Sequence, residues 1–289
     1  MKITAPAKLN LYLHITGRRD DGYHLLESLF IFTELSDEIH IEVADTVSLT
    51  LDGPFCALLK NEAVENNLVY RAALLLQKKC GITQGAKIRL TKNIPMGAGL
   101  GGGSSDAAAI LKGLNQLWNL QLERNTLSEM ALLLGADVPA CLYQQAAIVS
   151  GIGEIIHPVI LPSEDLYIVL VNPNLPLSTQ TVFQEYKKNN TAFSAPHKID
   201  QKNFSEWEIL LEFLRSNRND LESLAITLQP LIHDLLTTIK QQPDCQLARM
   251  SGSGTTCFGI FMDVSAADNA EKAVKNLFPS FWVRLIKII

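Results

Sequence analysis

Residues Pro95 to Ala109 read PMGAGLGGGSSDAAA, with five glycines inside seven residues and an alanine run behind them. Glycine loses more conformational freedom on folding than any other residue, so such a cluster needs a compensating role. A Gly/Ser-rich stretch can be a flexible linker. It can also be an anion cradle, in which bare backbone N–H groups close on phosphate oxygens at the positive end of a helix. The flanks favour the cradle. AKIRLTKNIP (residues 86–95) alternates apolar and polar side chains as a strand does. Ser104, Ser105 and Asp106 are N-cap types, and AAAILKGLNQLW (107–118) repeats apolar residues at helical spacing. Strand, glycine loop and capped helix in that order point to phosphate binding. No Gly-Lys-[Ser/Thr] closes the loop as a Walker A motif would. The GxGxxG match from Gly97 to Gly102 lacks an acidic residue at the distance a dinucleotide fold needs.

The 289 residues suffice for one large domain or two of ordinary size, and 47% hydrophobic against 19% charged content predicts a sizeable core. A net charge of −5 argues against non-specific nucleic-acid binding. Five cysteines (56, 80, 141, 245 and 257) lie scattered without a CxxC pair, as buried thiols of a reducing compartment do. Met1 leads straight into KITAPAKLNLYLHI, and no segment reaches the ~18 apolar residues of a membrane span. The expectation is a cytoplasmic protein without nucleic-acid or membrane partners, a monomer or weak homodimer.

Along the chain, LNLYLHI, EIHIEV and VSLTL alternate as strands, with a turn expected at Leu35-Ser36-Asp37. A helix is expected from about Asn67 to Lys79. In TLSEMALLLGADVPACLY, Thr126 and Glu129 fit a capping box and Gly135 a helix end. Strands follow in IVSGIGEIIHPV and DLYIVLVNP. Pro173 to Asn203 is polar and poorly periodic, as a long connection would be. Helices return in FSEWEILLEFLRS and LAITLQPLIHDLLTTIKQ, and the chain closes on CQLARMSGSGTTCFGIFMD, a helical EKAVKNLF and a strand FWVRLIKII. The pattern is α+β, with two fused lobes at residues 1–155 and 156–289.

PAKLNLYLHI near the N-terminus, PMGAGLGGGSSDAA in the middle and MSGSGTTCFGIF near the C-terminus stand in the order found in the GHMP kinases, which this chain strongly resembles over nearly its full length. The resemblance implies a two-lobed fold, with an N-terminal lobe like ribosomal protein S5 and a C-terminal ferredoxin-like lobe. It implies transfer of the ATP γ-phosphoryl group to a hydroxyl of a small alcohol. APAKLNLYLHITGRRDDGYHLLESLF, the triple glycine and LGADVPACL point within the family to a cytidine-diphosphate-linked methylerythritol as that substrate. Such a reaction is largely a matter of positioning and charge stabilisation, plus a base for the hydroxyl proton. Lys8 and Asp137 match the family's catalytic pair: Asp137 would accept the proton, also touching the substrate, and Lys8 would favour charge developing near the phosphate. On pattern alone Lys8 is equally a solvated strand residue, and Asp137 equally a cap for a helix entering at Val138-Pro139.

By the same resemblance, Asn10 would hydrogen-bond the acceptor. Tyr23 would stack on a pyrimidine, His24 would read its edge, Phe183 would close the other face and Thr179 would add a polar contact. The phosphates would lie along Pro95, Met96, Gly97, Ala98, Gly99, Leu100, Gly101, Gly102 and Gly103, with Ser104 and Ser105 adding hydroxyls. Asn67, Leu68 and Lys92 would surround adenine. The turn Ser251 to Thr255 would border the site or simply close a hairpin. Mg²⁺ is implied by ATP chemistry, with no ligand assigned. Asp106 reads better as an exposed acid complementing the helix dipole than as a water-mediated Mg²⁺ contact. A kinase for another alcohol, or a non-catalytic binder on the same fold, are the rival expectations. The GYH segment weighs against the first and the Lys8–Asp137 combination against the second.

Overall fold

The computed structural model describes residues 1–57, 59, 62–163, 166–189, 191–197, 204 and 206–289. Its packing divides the chain into two compact units that interleave in sequence. One comprises Met1–Lys8, Leu35–Met96 and Gly101–Gln144, the other Leu9–Glu34, Gly97–Leu100 and Gln145–Ile289. Two long strands, β1 (Lys2–Arg18) and β2 (His24–Ala44), pair with each other and supply residues to both units.

In the first unit, β4 (Gly85–Thr91) lies parallel to β3 (Ser48–Asp52) and antiparallel to Glu38–Ala44 of β2. Four helices complete it: α1 (Leu68–Cys80), α2 (Gly102–Leu117), α3 (Arg124–Leu134) and α4 (Val138–Tyr143). α2 packs against both α1 and α4. It can be central because Ala107, Ala108, Ala109, Ile110, Leu111 and Leu114 are all buried, the three alanines admitting close neighbours. Asn67 caps α1, its Oδ1 accepting from Val69 N at 2.9 Å.

Three local expectations fail here. No turn forms at Leu35–Asp37, because β2 runs through it. Asp37 is fully buried and accepts from the amides of Asn93 and Ile94, so a turn-type residue works as an acceptor inside a strand. α2 starts ahead of Ser104, with Gly101 in the left-handed region at φ 63° as its N-cap. α3 starts at Arg124, which puts Thr126 inside the helix and leaves no capping box. Gly135 does end α3, its N–H donating to Ala131 O.

In the second unit, β5 (Ala147–Gly151) is antiparallel to Leu26–Phe30 of β2 and to β6 (Ile155–Pro158). Four further strands form an antiparallel sheet in the order β10-β7-β9-β8: β7 (Tyr167–Asn172), β8 (Leu247–Met250), β9 (Cys257–Phe261) and β10 (Trp282–Lys287). The helices are α5 (Thr179–Lys188), α6 (Trp207–Arg215), α7 (Glu222–Leu228), α8 (Leu231–Lys240) and α9 (Val264–Leu277). α8 and α9 pack on the antiparallel sheet, burying Ile232, Leu235 and Val274 with Val169, Val171 and Phe261. Pro230, which has no N–H to continue a helix, separates α7 from α8. The expected connection from Pro173 to Asn203 contains α5, capped by Ser178 and anchored by buried Val182 and Tyr186. Residues 190 and 198–203 of that connection lie outside the described residues.

Candidate active site

In the first unit, Lys8 of β1 and Asp137 at the start of α4 form an ion pair, Nζ to Oδ2 3.0 Å. The Lys8 side chain is 4% exposed and that of Asp137 31%. A buried ammonium needs such a partner, while the open side of the carboxylate remains available to a ligand. Asp137 does hold the N-cap position of α4, but its side chain makes no cap hydrogen bond. The pairing is with Lys8 instead. A β-carbon at Gly101 would stand 2.9 Å from Lys8 Cε, so the bare backbone there leaves room for the lysine.

The N-cap residue Gly101 has no side chain to cap α2, so among the described residues the N–H groups of Gly102, Gly103 and Ser104 are the donors that a helix start presents. With the helix dipole behind them they suit a phosphate. Ser105 does not join them. Its hydroxyl is fully buried and donates to Pro6 O at 2.7 Å, which corrects the expectation of two hydroxyl donors and leaves Ser104. Lys92 is also withdrawn: its ammonium lies between Asp37 and Asp106, 2.6 Å from Asp106 Oδ2, and is 3% exposed. Asp106 is therefore neither an exposed helix-start acid nor an open Mg²⁺ ligand. Mg²⁺ needs near-octahedral oxygen and usually keeps several waters, which this closed triad does not admit.

Burial pushes the Asp106 carboxyl up to about 7, with Lys92 opposing and Asp37 adding to it. Burial alone would lower the Lys92 pKa, but Asp106 and Asp37 outweigh it and raise it. The ammonium thus stays charged, and Asp106 is the carboxyl that takes up a proton. Beside α1, a cavity of about 250 Å³ is lined by Leu49, Leu51, Leu59, Glu62, Ala63, Val64 and Asn67. Its largely aliphatic walls, with the Asn67 amide and the Glu62 carboxylate as polar groups, suit a flat heterocycle. Asn67 lies on it; Leu68 and Lys92 are not among these lining residues.

In the second unit, the segment Gly97–Leu100 tucks Ala98 and Leu100 inward and leaves Gly97 exposed, with open space where a side chain would be. The turn from Ser251 to Thr256 holds it from behind. Ser251 Oγ donates to Gly99 O at 2.9 Å, and Thr256 N donates to Ala98 O at 3.2 Å. Gly99, at φ 73°, is needed because a side chain would overlap Ser251 O. The turn both closes the β8–β9 hairpin and braces the loop. Asn10 is buried rather than facing water. Its N–H donates to Ser251 Oγ at 3.1 Å and its Nδ2 to Ser28 Oγ at 2.9 Å.

Tyr23 is 59% exposed. His24 and Phe183 stand face to face, tilted by 31° with centroids 5.1 Å apart. Phe183 lies on α5, not in an irregular segment. The His24 pKa is lowered, first by burial, then by Arg18 and Lys187. A neutral imidazole offers one donor and one acceptor, the combination a cytosine edge asks for. Thr179, also on α5, shares a 2.8 Å hydrogen bond with Ser253. Sequence reasoning missed Asp37, which pairs with Lys92, and Ser28, which accepts from Asn10; neither carries a motif of its own.

Residues 67–145 match the model of the GHMP kinases N terminal domain and residues 197–280 that of the GHMP kinases C terminal. A 4-diphosphocytidyl-2-C-methyl-D-erythritol kinase of Paramagnetospirillum magneticum is 43% identical over 282 residues, 97% of this chain and 96% of the relative. The chain belongs to the GHMP kinases. As a member it is an ATP-dependent phosphotransferase. Another enzyme of the same name, from Ruegeria pomeroyi, is 45% identical over 96% of this chain and 95% of its own. A crystal structure of 4-(cytidine 5'-diphospho)-2C-methyl-D-erythritol kinase superposes with a TM-score of 0.78 at 33% identity, covering 99% of each chain. A homoserine kinase from Cytophaga hutchinsonii shares the fold at 19% identity, with a TM-score of 0.70 over 100% of this chain and 94% of its own.

The buried triad gives a pH test. Asp106 moves from 3.8 to about 7 on folding, so its contribution to stability is complete below its unfolded value and is lost as pH rises through the folded one. Denaturation of wild type and Asp106→Asn should show a stability difference that turns against wild type between about pH 4 and 7, then levels off. A difference independent of pH would contradict the assignment.

Proposed function

We propose that this chain phosphorylates the methylerythritol 2-hydroxyl of 4-diphosphocytidyl-2-C-methyl-D-erythritol with ATP, a step of non-mevalonate isoprenoid precursor synthesis. The observation that carries the mechanism is the Lys8–Asp137 pair, with a shielded ammonium and a partly open carboxylate. Asp137 takes the hydroxyl proton as the oxygen forms its bond to the γ-phosphorus and the bond to the β–γ bridging oxygen breaks. Lys8 offsets the negative charge that builds during transfer. The amides from Gly97 to Ser104 hold the phosphates and the cavity beside Asn67 takes the adenine, roles the exposed backbone and the apolar walls support. Mg²⁺, which neutralises phosphate charge, would come to the site on the nucleotide.

Tyr23, His24 and Phe183 take the cytosine, and Asn10 and Thr179 orient the rest of the acceptor. Residues 1–155 then carry the nucleotide loop and the catalytic pair, and residues 156–289 add α5. No helix of the described residues is long and apolar enough to cross a membrane, and all five cysteines are free, which supports a reducing, cytoplasmic setting.

A phosphoryl-transfer assay with ATP and a panel of alcohols tests the reading, and the cytidylyl compound should be the preferred acceptor. Asp137→Asn should lower kcat by roughly 10²–10⁴-fold with the ATP KM little changed. A near wild-type rate would remove the base. Tyr23→Ala should raise KM for the cytidylyl acceptor about tenfold and spare that for ATP, as loss of a stacked ring does. Equal effects on both would remove the cytosine assignment.

A further inference from the structure

Within the second unit, His14 of β1, Glu27 of β2 and His197, none of them given a role above, converge. One ligand atom from each lies within 4.8 Å of the others. Glu27 is 1% exposed and His14 7%. Glu27 Oε1 accepts from Tyr12 OH at 2.9 Å and lies 2.5 Å from His197 Nδ1, while Oε2 accepts from His197 N at 3.0 Å. His14 Nδ1 is buried with no hydrogen-bond partner among the described residues. The two imidazoles are stacked, centroids 5.4 Å apart, and Tyr12 and Phe213 pack edge-on against them.

A buried polar atom without a partner is uncommon and costly. An imidazole held neutral supplies a lone pair to a metal. Two imidazoles and a carboxylate are the donor set of His₂Glu zinc centres. Tyr12 OH on Glu27 is the kind of outer hydrogen bond that orients a ligating carboxylate. A tetrahedral metal about 2.0–2.2 Å from each ligand atom would hold them roughly 3.4 Å apart, drawing in the wider contacts and replacing the 2.5 Å Glu27–His197 hydrogen bond. His197 lies in an irregular stretch tied to β1 by Ser194 N donating to Ile15 O at 2.8 Å, so the approach falls on a residue outside helix and strand.

We propose that His14, Glu27 and His197 bind one late first-row divalent ion of the zinc class, with water in the fourth position, fastening the segment before residue 198 to β1 and β2. This does not rest on the kinase reading. The full chain, stripped with a chelator, is titrated with Co²⁺ as the spectroscopic probe and then with Zn²⁺. One equivalent of Co²⁺ should bind at micromolar concentration with visible ligand-field absorption, and Zn²⁺ should displace it and raise the melting temperature. His197→Ala, at a partly exposed position, should weaken Co²⁺ binding by roughly 100-fold, and Glu27→Gln by at least about tenfold, with far-UV circular dichroism like wild type. If Glu27→Gln does not fold, His197→Ala decides alone. No Co²⁺ uptake by wild type, or uptake unchanged in His197→Ala, would overturn the site and leave a Glu27–His197 hydrogen bond alone.

Discussion

The space that a side chain at position 101 would fill is occupied by the methylenes of Lys8. Two functions meet at that point in the first unit. Gly101 adopts φ 63° to start α2 with its first amides uncapped, and its bare α-carbon lets the lysine reach Asp137. An ordinary residue would meet a backbone conformation that L side chains avoid and a close contact with Cε. In the proposed reaction, the phosphate donors and the Lys8–Asp137 pair would therefore share a single steric requirement.

The same unit keeps its second buried lysine for a different purpose. Lys92 is spent on two buried carboxylates, one of which also accepts the amides of Asn93 and Ile94 just ahead of the glycine loop. A half-satisfied buried network costs more than an apolar core, and Asp106 keeps one oxygen without a hydrogen-bond partner among the described residues. Protonation of that carboxyl near neutral pH lowers the cost. In the second unit the loop's other half is fixed by neutral contacts, hydroxyl to carbonyl and amide to carbonyl, from the turn after β8.

The glycine loop was legible because glycine itself reports the backbone: Gly97, Gly99 and Gly101 all adopt positive φ. The long periodic elements were legible for a similar reason. α1 and β3 lie where alternation and helical spacing put them. Burial of charge was not legible. Asp37, Lys92 and Asp106 are surface types by composition, and only the tertiary environment pairs them. α5 was hidden because its Thr, Gln and Lys content masks the spacing of Val182 and Tyr186. Hydroxyl direction was equally hidden: Ser104 and Ser105 are adjacent and alike, yet only Ser105 is fully buried and turned to Pro6. Lys8 and Asp137 are far apart in the chain, so spacing could not join them; the family resemblance did.

The account depends most on the shared requirement at position 101, and the rate of phosphoryl transfer by Gly101→Ala at saturating nucleotide and acceptor measures it directly. With the fold intact by circular dichroism, displacement of Lys8 from Asp137 should slow transfer by roughly 100-fold or more. Transfer within about twofold of wild type would mean that the lysine keeps its place beside a methyl group, and that the pair does not depend on the bare backbone.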